Sequence, residues 1–292
     1  MKGRCIIAAS CLMLLYSCSA GRYAANPSYP APETEYDAKG ILEEVFYKPS
    51  VEGPEERRML VYLPEDYHRC SDSYPVLYLL HGARGNETSW ITQGNLLKNV
   101  DWLTERGCMK KTIIVMPNTN QYDDDSDFGH SRRKNAAESV FEMDGSAEYS
   151  FIKDVVPTID SLYRSIPHKS GRAIAGLSIG AVQSACISAD RPDWFDYVGI
   201  FSPFVNVWAK KSRYSDLYEG LRTKMEVQFA DPPDLYLIMS GRNDLFFNRI
   251  QRSIRYLERK GYKIEYIPTS GRHTWKNWEA YSCRFMEELW KL

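Results

Sequence analysis

The chain has 292 residues, 43% of them hydrophobic, and its 37 Lys and Arg against 38 Asp and Glu leave a net charge of −1. That balance, with basic residues scattered along the chain, excludes the electrostatic footprint of a nucleic-acid binder. The length is ample for one large α/β domain, and no internal repeat divides it.

In chain order, Met1-Lys2-Gly3-Arg4 is a short basic start and Cys5 to Tyr16 an apolar run too short to span a bilayer as a mature helix. The run ends in Leu15-Tyr16-Ser17-Cys18, a Cys with Leu three places before it and a small residue directly before it. This resembles a bacterial lipoprotein signal. The resemblance implies a signal peptide over 1–17, lipidation at Cys18, export, and a lipid anchor in the cell envelope, at the periplasm or outer membrane. Tyr16 is bulky for its place, so ordinary secretion of a soluble protein is the alternative. Residues 18–36 are rich in Pro, Ala and Tyr without apolar period and read as a flexible tether. The remaining 37–292 form the catalytic domain expected below. Cys70, Cys108, Cys186 and Cys283 follow with no metal-ligand spacing, so no metal is expected, and nothing in their spacing demands a disulfide.

Within the domain, Gly40–Tyr47 and Arg57–Leu63 alternate apolar with polar residues and predict an antiparallel strand pair. Val76–Leu80 and Thr112–Met116 are continuous apolar runs, hence strands buried on both faces, with a helix over 96–106 between them. The polar stretch 118–146 is long for a loop in a compact domain. Its Asp123-Asp124-Asp125 lacks the spaced ligands and Gly of a calcium loop and reads as a solvated charge run. An amphipathic helix over 148–163, interrupted near Pro157, precedes a buried strand ending in Ala173-Ile174-Ala175. A small-residue helix, Ala181–Ile187, comes next, then a strand Val198–Phe201, a helix 214–229, and a strand Leu235–Met239. A helix 246–260, a strand Lys263–Ile267 and a Trp-rich helix 275–290 close the chain. Alternating strands and helices predict a mostly parallel central sheet with helices on both faces, and ligands at the carboxyl ends of its strands.

Gly176-Leu177-Ser178-Ile179-Gly180 joins one of these strands to a helix. A Ser flanked by glycines at −2 and +2 on such a turn is the nucleophile-elbow pattern, though alone it also fits an ordinary tight turn. Two more residues arrive at the same sheet edge. Asp244 follows the strand 235–239, and His273 follows the last strand. Ser…Asp…His is the chain order of this kind of site. His273 would take the Ser178 proton and Asp244 would hold the imidazole tautomer. Asp231 and Asp234 precede their strand and lie at the wrong end. The His81-Gly82 turn offers the Ala83 N–H as one oxyanion donor and the helix start offers Ile179 N–H as the other; His81 itself reads as structural.

Leu79-Leu80-His81-Gly82, Asn86-Glu87, Trp90, Val115-Met116-Pro117-Asn118, Ala175-Gly176-Leu177-Ser178-Ile179-Gly180, Gly241-Arg242-Asn243-Asp244 and Gly271-Arg272-His273-Thr274-Trp275 occur in order over about residues 40–292. Together they resemble the esterase D-like α/β-hydrolases, closest to carbohydrate esterase family 1, the feruloyl and acetyl-xylan esterases. The resemblance implies an α/β-hydrolase fold and a serine esterase acting through an acyl-Ser178 intermediate on feruloyl or acetyl esters of plant polysaccharide, without a cofactor. It carries the catalytic roles to Ser178, Asp244 and His273, and the oxyanion roles to Ala83 and Ile179. Ala181 departs from the second Gly common there, and Arg84 and the 118–146 loop bear on substrate choice. Trp90, Trp275 and Trp278 are expected to rim the cleft as an apolar wall, the alternative being core aromatics at helix ends. Competing readings are a siderophore-lactone esterase, an S-formylglutathione hydrolase, an acyltransferase, or a catalytically dead glycan-binding lipoprotein. Oligomeric state is open.

Overall fold

A computed structural model describes residues 36–52, 55–120, 145–203 and 220–291. The expected signal peptide, Cys18, nearly all of the tether and residues 121–144 of the long loop lie outside them, as does the first part of the helix expected from Tyr214. Among the described residues no helix is long and apolar enough to cross a membrane.

The strands are β1 (Ile41–Tyr47), β2 (Arg57–Leu63), β3 (Val76–Leu80), β4 (Ile113–Pro117), β5 (Arg172–Leu177), β6 (Tyr197–Phe201), β7 (Leu235–Gly241) and β8 (Glu265–Thr269). They form one sheet in the order β1-β2-β4-β3-β5-β6-β7-β8. β1 and β2 pair antiparallel, as do β2 and β4, and every pairing from β4 to β8 is parallel. This is the α/β-hydrolase architecture expected from the sequence. β3 through β6 are buried at every position because helices cover both faces of the sheet. Alternate side chains therefore feed two cores. Val76, Tyr78 and Leu80 of β3 enter one, and Leu77 and Leu79 the other.

Several element ends differ from the sequence reading for identifiable reasons. The apolar runs stop at proline, yet β4 includes Pro117, and β8 includes Pro268 opposite Ser240. β8 has a neighbour on one side only, so a missing N–H at Pro268 can be accommodated there. The helix before β5 is not broken at Pro157 but widened. It runs as Ser146–Ser150, a π-helical turn Phe151–Val155, and Val156–Leu162. Pro157 lacks an N–H and its ring crowds the carbonyl four residues back, so the preceding turn opens and Val156 N–H bonds Phe151 O. The helix after the elbow, Ile179–Asp190, is longer than expected and buried almost throughout, which explains its small apolar composition.

The glycines of the elbow hold this helix close to the sheet. A Cβ on Gly176 would lie 2.4 Å from the Gly180 carbonyl carbon and oxygen, and one on Gly180 would lie 2.4 Å from His81 O and 2.7 Å from Leu80 O. All of these are backbone atoms with no rotamer to escape through. Gly180→Ala is expected to destabilise the fold by about 2 kcal/mol, lowering Tm by about 4–8 °C. Thermal unfolding checks this, and an unchanged Tm would mean the helix can withdraw from β3 without penalty.

Candidate active site

Ser178 lies between β5 and the helix Ile179–Asp190 with φ 55° and ψ −109°. A positive φ is uncommon for a residue with a Cβ, and it persists only where the surroundings enforce it. Here Ser178 N–H donates to Phe201 O of β6 at 2.9 Å, while the two glycine contacts fix the strand and helix on either side.

His273 Nε2 lies 3.0 Å from Ser178 Oγ, and His273 Nδ1 lies 2.8 Å from Asp244 Oδ2. A carboxylate oxygen accepts, so Nδ1 is the protonated nitrogen and Nε2 keeps a lone pair for the Ser178 hydroxyl. The Asp244 side chain is 0% exposed, and its other oxygen accepts the Phe246 N–H at 2.8 Å. Both carboxylate oxygens are thus engaged, which fixes the orientation of the carboxylate plane. Ser178 itself is 8% exposed. The arrangement can deprotonate a hydroxyl and hold the resulting imidazolium against a buried carboxylate.

Asp244 and His273 meet because two turns touch through glycine. A Cβ on Gly241 would lie 2.4 Å from Gly271 O, and Gly271 has φ 101°. Across this contact Asn243 N–H donates to Gly271 O at 2.9 Å and Arg242 N–H to Thr269 O at 2.8 Å. Asn277, on the helix Trp275–Glu288, then clamps the His273 turn by donating from Nδ2 to Arg272 O at 2.9 Å and Ser270 O at 3.2 Å. Three strand spacings, roughly 14 Å, separate β5 from β8. The turn must carry the imidazole back across that distance, and its clamps hold it there.

The turn after β3 is equally tied down. His81 is buried, and its Nδ1 donates to Gly82 O at 2.7 Å while its Nε2 accepts the Thr119 N–H at 3.0 Å. Gly85 N–H also donates to Gly82 O, at 3.0 Å. With no cis peptide bond, the Ala83 N–H points opposite to that doubly held carbonyl, away from the His81 ring. Gly82 passes close to the elbow, since a Cβ there would sit 3.6 Å from Ser178 Cβ. Ile179 is the first residue of its helix, where N–H groups have no intrahelical acceptor. The Ala83 amide follows Gly82 and the Ile179 amide follows Ser178, so both sit beside the elbow. Arg58 of β2 donates from its guanidinium to the buried Glu87, anchoring the far end of this turn.

The family model Esterase matches residues 50–281. The chain belongs to the Esterase family. Over 237 residues this esterase is 30% identical to an endo-1,4-beta-xylanase/feruloyl esterase of Xylanibacter ruminicola; the match covers 79% of the chain and 29% of that much longer relative. A ferulic acid esterase structure from Anaeromyces mucronatus superposes with TM-score 0.68 at 21% identity, covering 89% of this chain and 93% of that one. An S-formylglutathione hydrolase structure from Staphylococcus aureus gives TM-score 0.63 at 19% identity, covering 88% and 100%. Both structures share the α/β-hydrolase fold of the esterase.

Two of the three tryptophans expected at the rim are buried. Trp90 is 1% exposed and Trp278 8% exposed, whereas Trp275 is partly exposed. They form an edge-to-face chain, Trp90 on Trp275 at 5.3 Å and Trp275 on Trp278 at 5.5 Å, ending with Trp278 on the His273 ring at 4.8 Å and 89°. Trp90 and Trp278 are therefore packing behind the histidine of the esterase rather than a cleft wall. Helix-end tryptophans are large enough to bridge from core to site, and sequence position alone does not tell the two apart. Phe246 also packs edge-to-face with the imidazole, at 5.1 Å and 85°. Phe246, Arg58 and Glu87 were not legible as site supports, because each acts through a neighbour far away in sequence, and Asn277 was not because its clamp depends on how the turn folds back over the helix start. Among the described residues no group of three or more His, Cys, Asp or Glu could hold a metal ion.

Burial holds the His81 pKa below its usual 6.5, keeping the ring neutral with a fixed tautomer. A pKa lowered on folding contributes stability above about 6.5 that is lost as the pH falls below it. In His81→Asn, whose amide can replace the Nδ1 donor, this part of the acid slope in Tm is expected to disappear. His81→Ala is expected to lower kcat about 10–100-fold at near-constant KM, because the Gly82-Ala83 peptide is released. His81→Asn is expected to recover most of that loss. Steady-state kinetics and pH-dependent melts check both, and a loss confined to KM would show that the turn binds substrate instead.

Proposed function

We propose that this esterase uses Ser178 as nucleophile, His273 as general base and then general acid, and Asp244 to hold and stabilise the imidazole. The observation that carries the reading is the single hydrogen-bonded line from Asp244 through His273 to Ser178. In the proposed cycle Ser178 Oγ attacks the ester carbonyl as His273 Nε2 takes its proton. The carbonyl oxygen turns anionic in reach of the Ala83 and Ile179 N–H groups. Collapse expels the alcohol, protonated by His273, and leaves an acyl-Ser178. Water, deprotonated by His273, attacks that acyl group, and Ser178 leaves with the proton returned.

The proposed substrate is a feruloyl or acetyl ester carried by plant polysaccharide. Support comes from the motif series and from the Xylanibacter ruminicola relative, which is named both a xylanase and a feruloyl esterase. We further propose export and anchoring through Cys18, on the strength of Leu15-Tyr16-Ser17-Cys18 after the apolar run.

Ser178→Ala is expected to fold normally by circular dichroism yet lose several orders of magnitude in kcat on p-nitrophenyl acetate and methyl ferulate. Asp244→Asn should lose roughly 10⁴-fold by favouring the wrong tautomer. A wild type inactive on both esters, or a Ser178→Ala variant that retains activity, would sink the mechanism. For the anchor, palmitate labelling in a bacterial host should mark the wild type and not Cys18→Ala. Equal labelling of the two would place any lipid elsewhere.

A further inference from the structure

The basic residues look scattered in sequence, but the fold gathers some of them. In the helix Phe247–Arg259 the buried face is Ile250, Ser253, Ile254 and Leu257. At 100° per residue, Arg249, Arg252, Arg255 and Arg259 fall within an arc of about 120° on the opposite side. All four are exposed. Asn248 and Tyr256 share the arc, and Glu258 lies off it. The stripe is about 15 Å long. Among the described residues, no carboxylate forms an ion pair with any of these four arginines, whereas Lys260 just beyond them pairs with Glu226.

The stripe starts at the active site. The Arg249 guanidinium lies 5.8 Å from the Phe246 ring centre, and Phe246 packs on the His273 imidazole. Two more exposed arginines stand in the turns that bear the site. Arg84 directly follows Ala83, with φ 61°, and Arg272 directly precedes His273. Within the described parts of these turns, the carboxylates, Glu87 and Asp244, are buried and already bonded to Arg58 and His273.

We propose that this surface binds a polyanion, a uronate-bearing polysaccharide whose ester group sits at Ser178 while its carboxylates run along the arginine stripe. The inference rests on the polysaccharide-ester reading above and narrows its carrier from any polysaccharide to an acidic one. Arginine suits the task because its planar fork matches a carboxylate bidentately. A single small anion needs one such fork, but a stripe of this length matches a repeating charge. An anionic lipid surface has the same charge. However, it offers no reason for the stripe to begin at the ring packed on His273, and continuity with the site favours the substrate.

Two measurements on the full chain test this. Affinity electrophoresis in gels containing polygalacturonate or neutral xylan reads carrier binding without any turnover. Retardation by polygalacturonate alone is expected, and its loss in Arg252→Gln/Arg255→Gln/Arg259→Gln. Kinetics then compare methyl ferulate with feruloyl oligosaccharides on neutral and on galacturonate-rich backbones. The wild type should favour the acidic carrier in kcat/KM by roughly tenfold at low salt, and lose that preference by about 0.5 M salt, where exposed charges are screened. The triple variant should lose the same preference and keep its rate on methyl ferulate. Equal retardation by both polymers, or an acidic-carrier preference that survives the triple substitution, would overturn the proposal. Arginine-dependent binding to phosphatidylglycerol vesicles without retardation by polygalacturonate would also overturn it, in favour of a membrane-facing helix. Failure on methyl ferulate would instead count against the esterase mechanism, leaving the electrophoresis to decide the polyanion surface.

Discussion

The contact between Gly180 and the carbonyls of Leu80 and His81 is the constraint on which the site depends. It presses the start of the helix Ile179–Asp190 against the end of β3, while Gly176 lets the same helix lie on β5. Between them Ser178 has no room to relax from φ 55°, so its Oγ is held at the carboxyl edge of the sheet. One close approach therefore does two things. It strains the nucleophile turn, and it brings the His81-Gly82 turn beside that nucleophile, so that hydroxyl and amide donors share a frame.

A second glycine contact does the same for the acid and base. Gly241 and Gly271 allow the turns after β7 and β8 to touch, and backbone hydrogen bonds across the contact hold Asp244 and His273 to each other. Phe246 and Trp278 then each pack edge-to-face with the imidazole. In the proposed mechanism the first frame fixes where charge develops and the second where the proton goes. They meet at the bond between His273 Nε2 and Ser178 Oγ. This division suits a reaction in which the imidazole alternates between base and acid while the donors stay still.

The same geometry accounts for an uneven charge distribution that the net value of −1 conceals. Arginines spaced three or four residues apart are unremarked in a linear reading, but a helix turns that spacing into a stripe. Arg84 and Arg272 are far apart in the chain and adjoin the site because each borders a residue that the strand ends bring there. Among the described residues, both of these arginines are exposed beside the proposed catalytic groups.

Much of this arrangement is legible in the sequence. Apolar runs marked β3 to β7, because a strand buried on both faces has no polar alternative. Gly-x-Ser-x-Gly, Asp244 and His273 were readable because a catalytic turn needs particular residue types directly after a strand. Sequence could not place Trp90 and Trp278 behind His273, or find Phe246, Asn277 and the Arg58–Glu87 pair as supports. Nor could it see that Pro157 widens a helix rather than ending it. Residue type and local period are local properties, so the sequence by itself determined the fold class and the candidate reactive groups. Which side chains pin those groups in place depends on contacts between turns that are distant along the chain, and only the tertiary structure decided that.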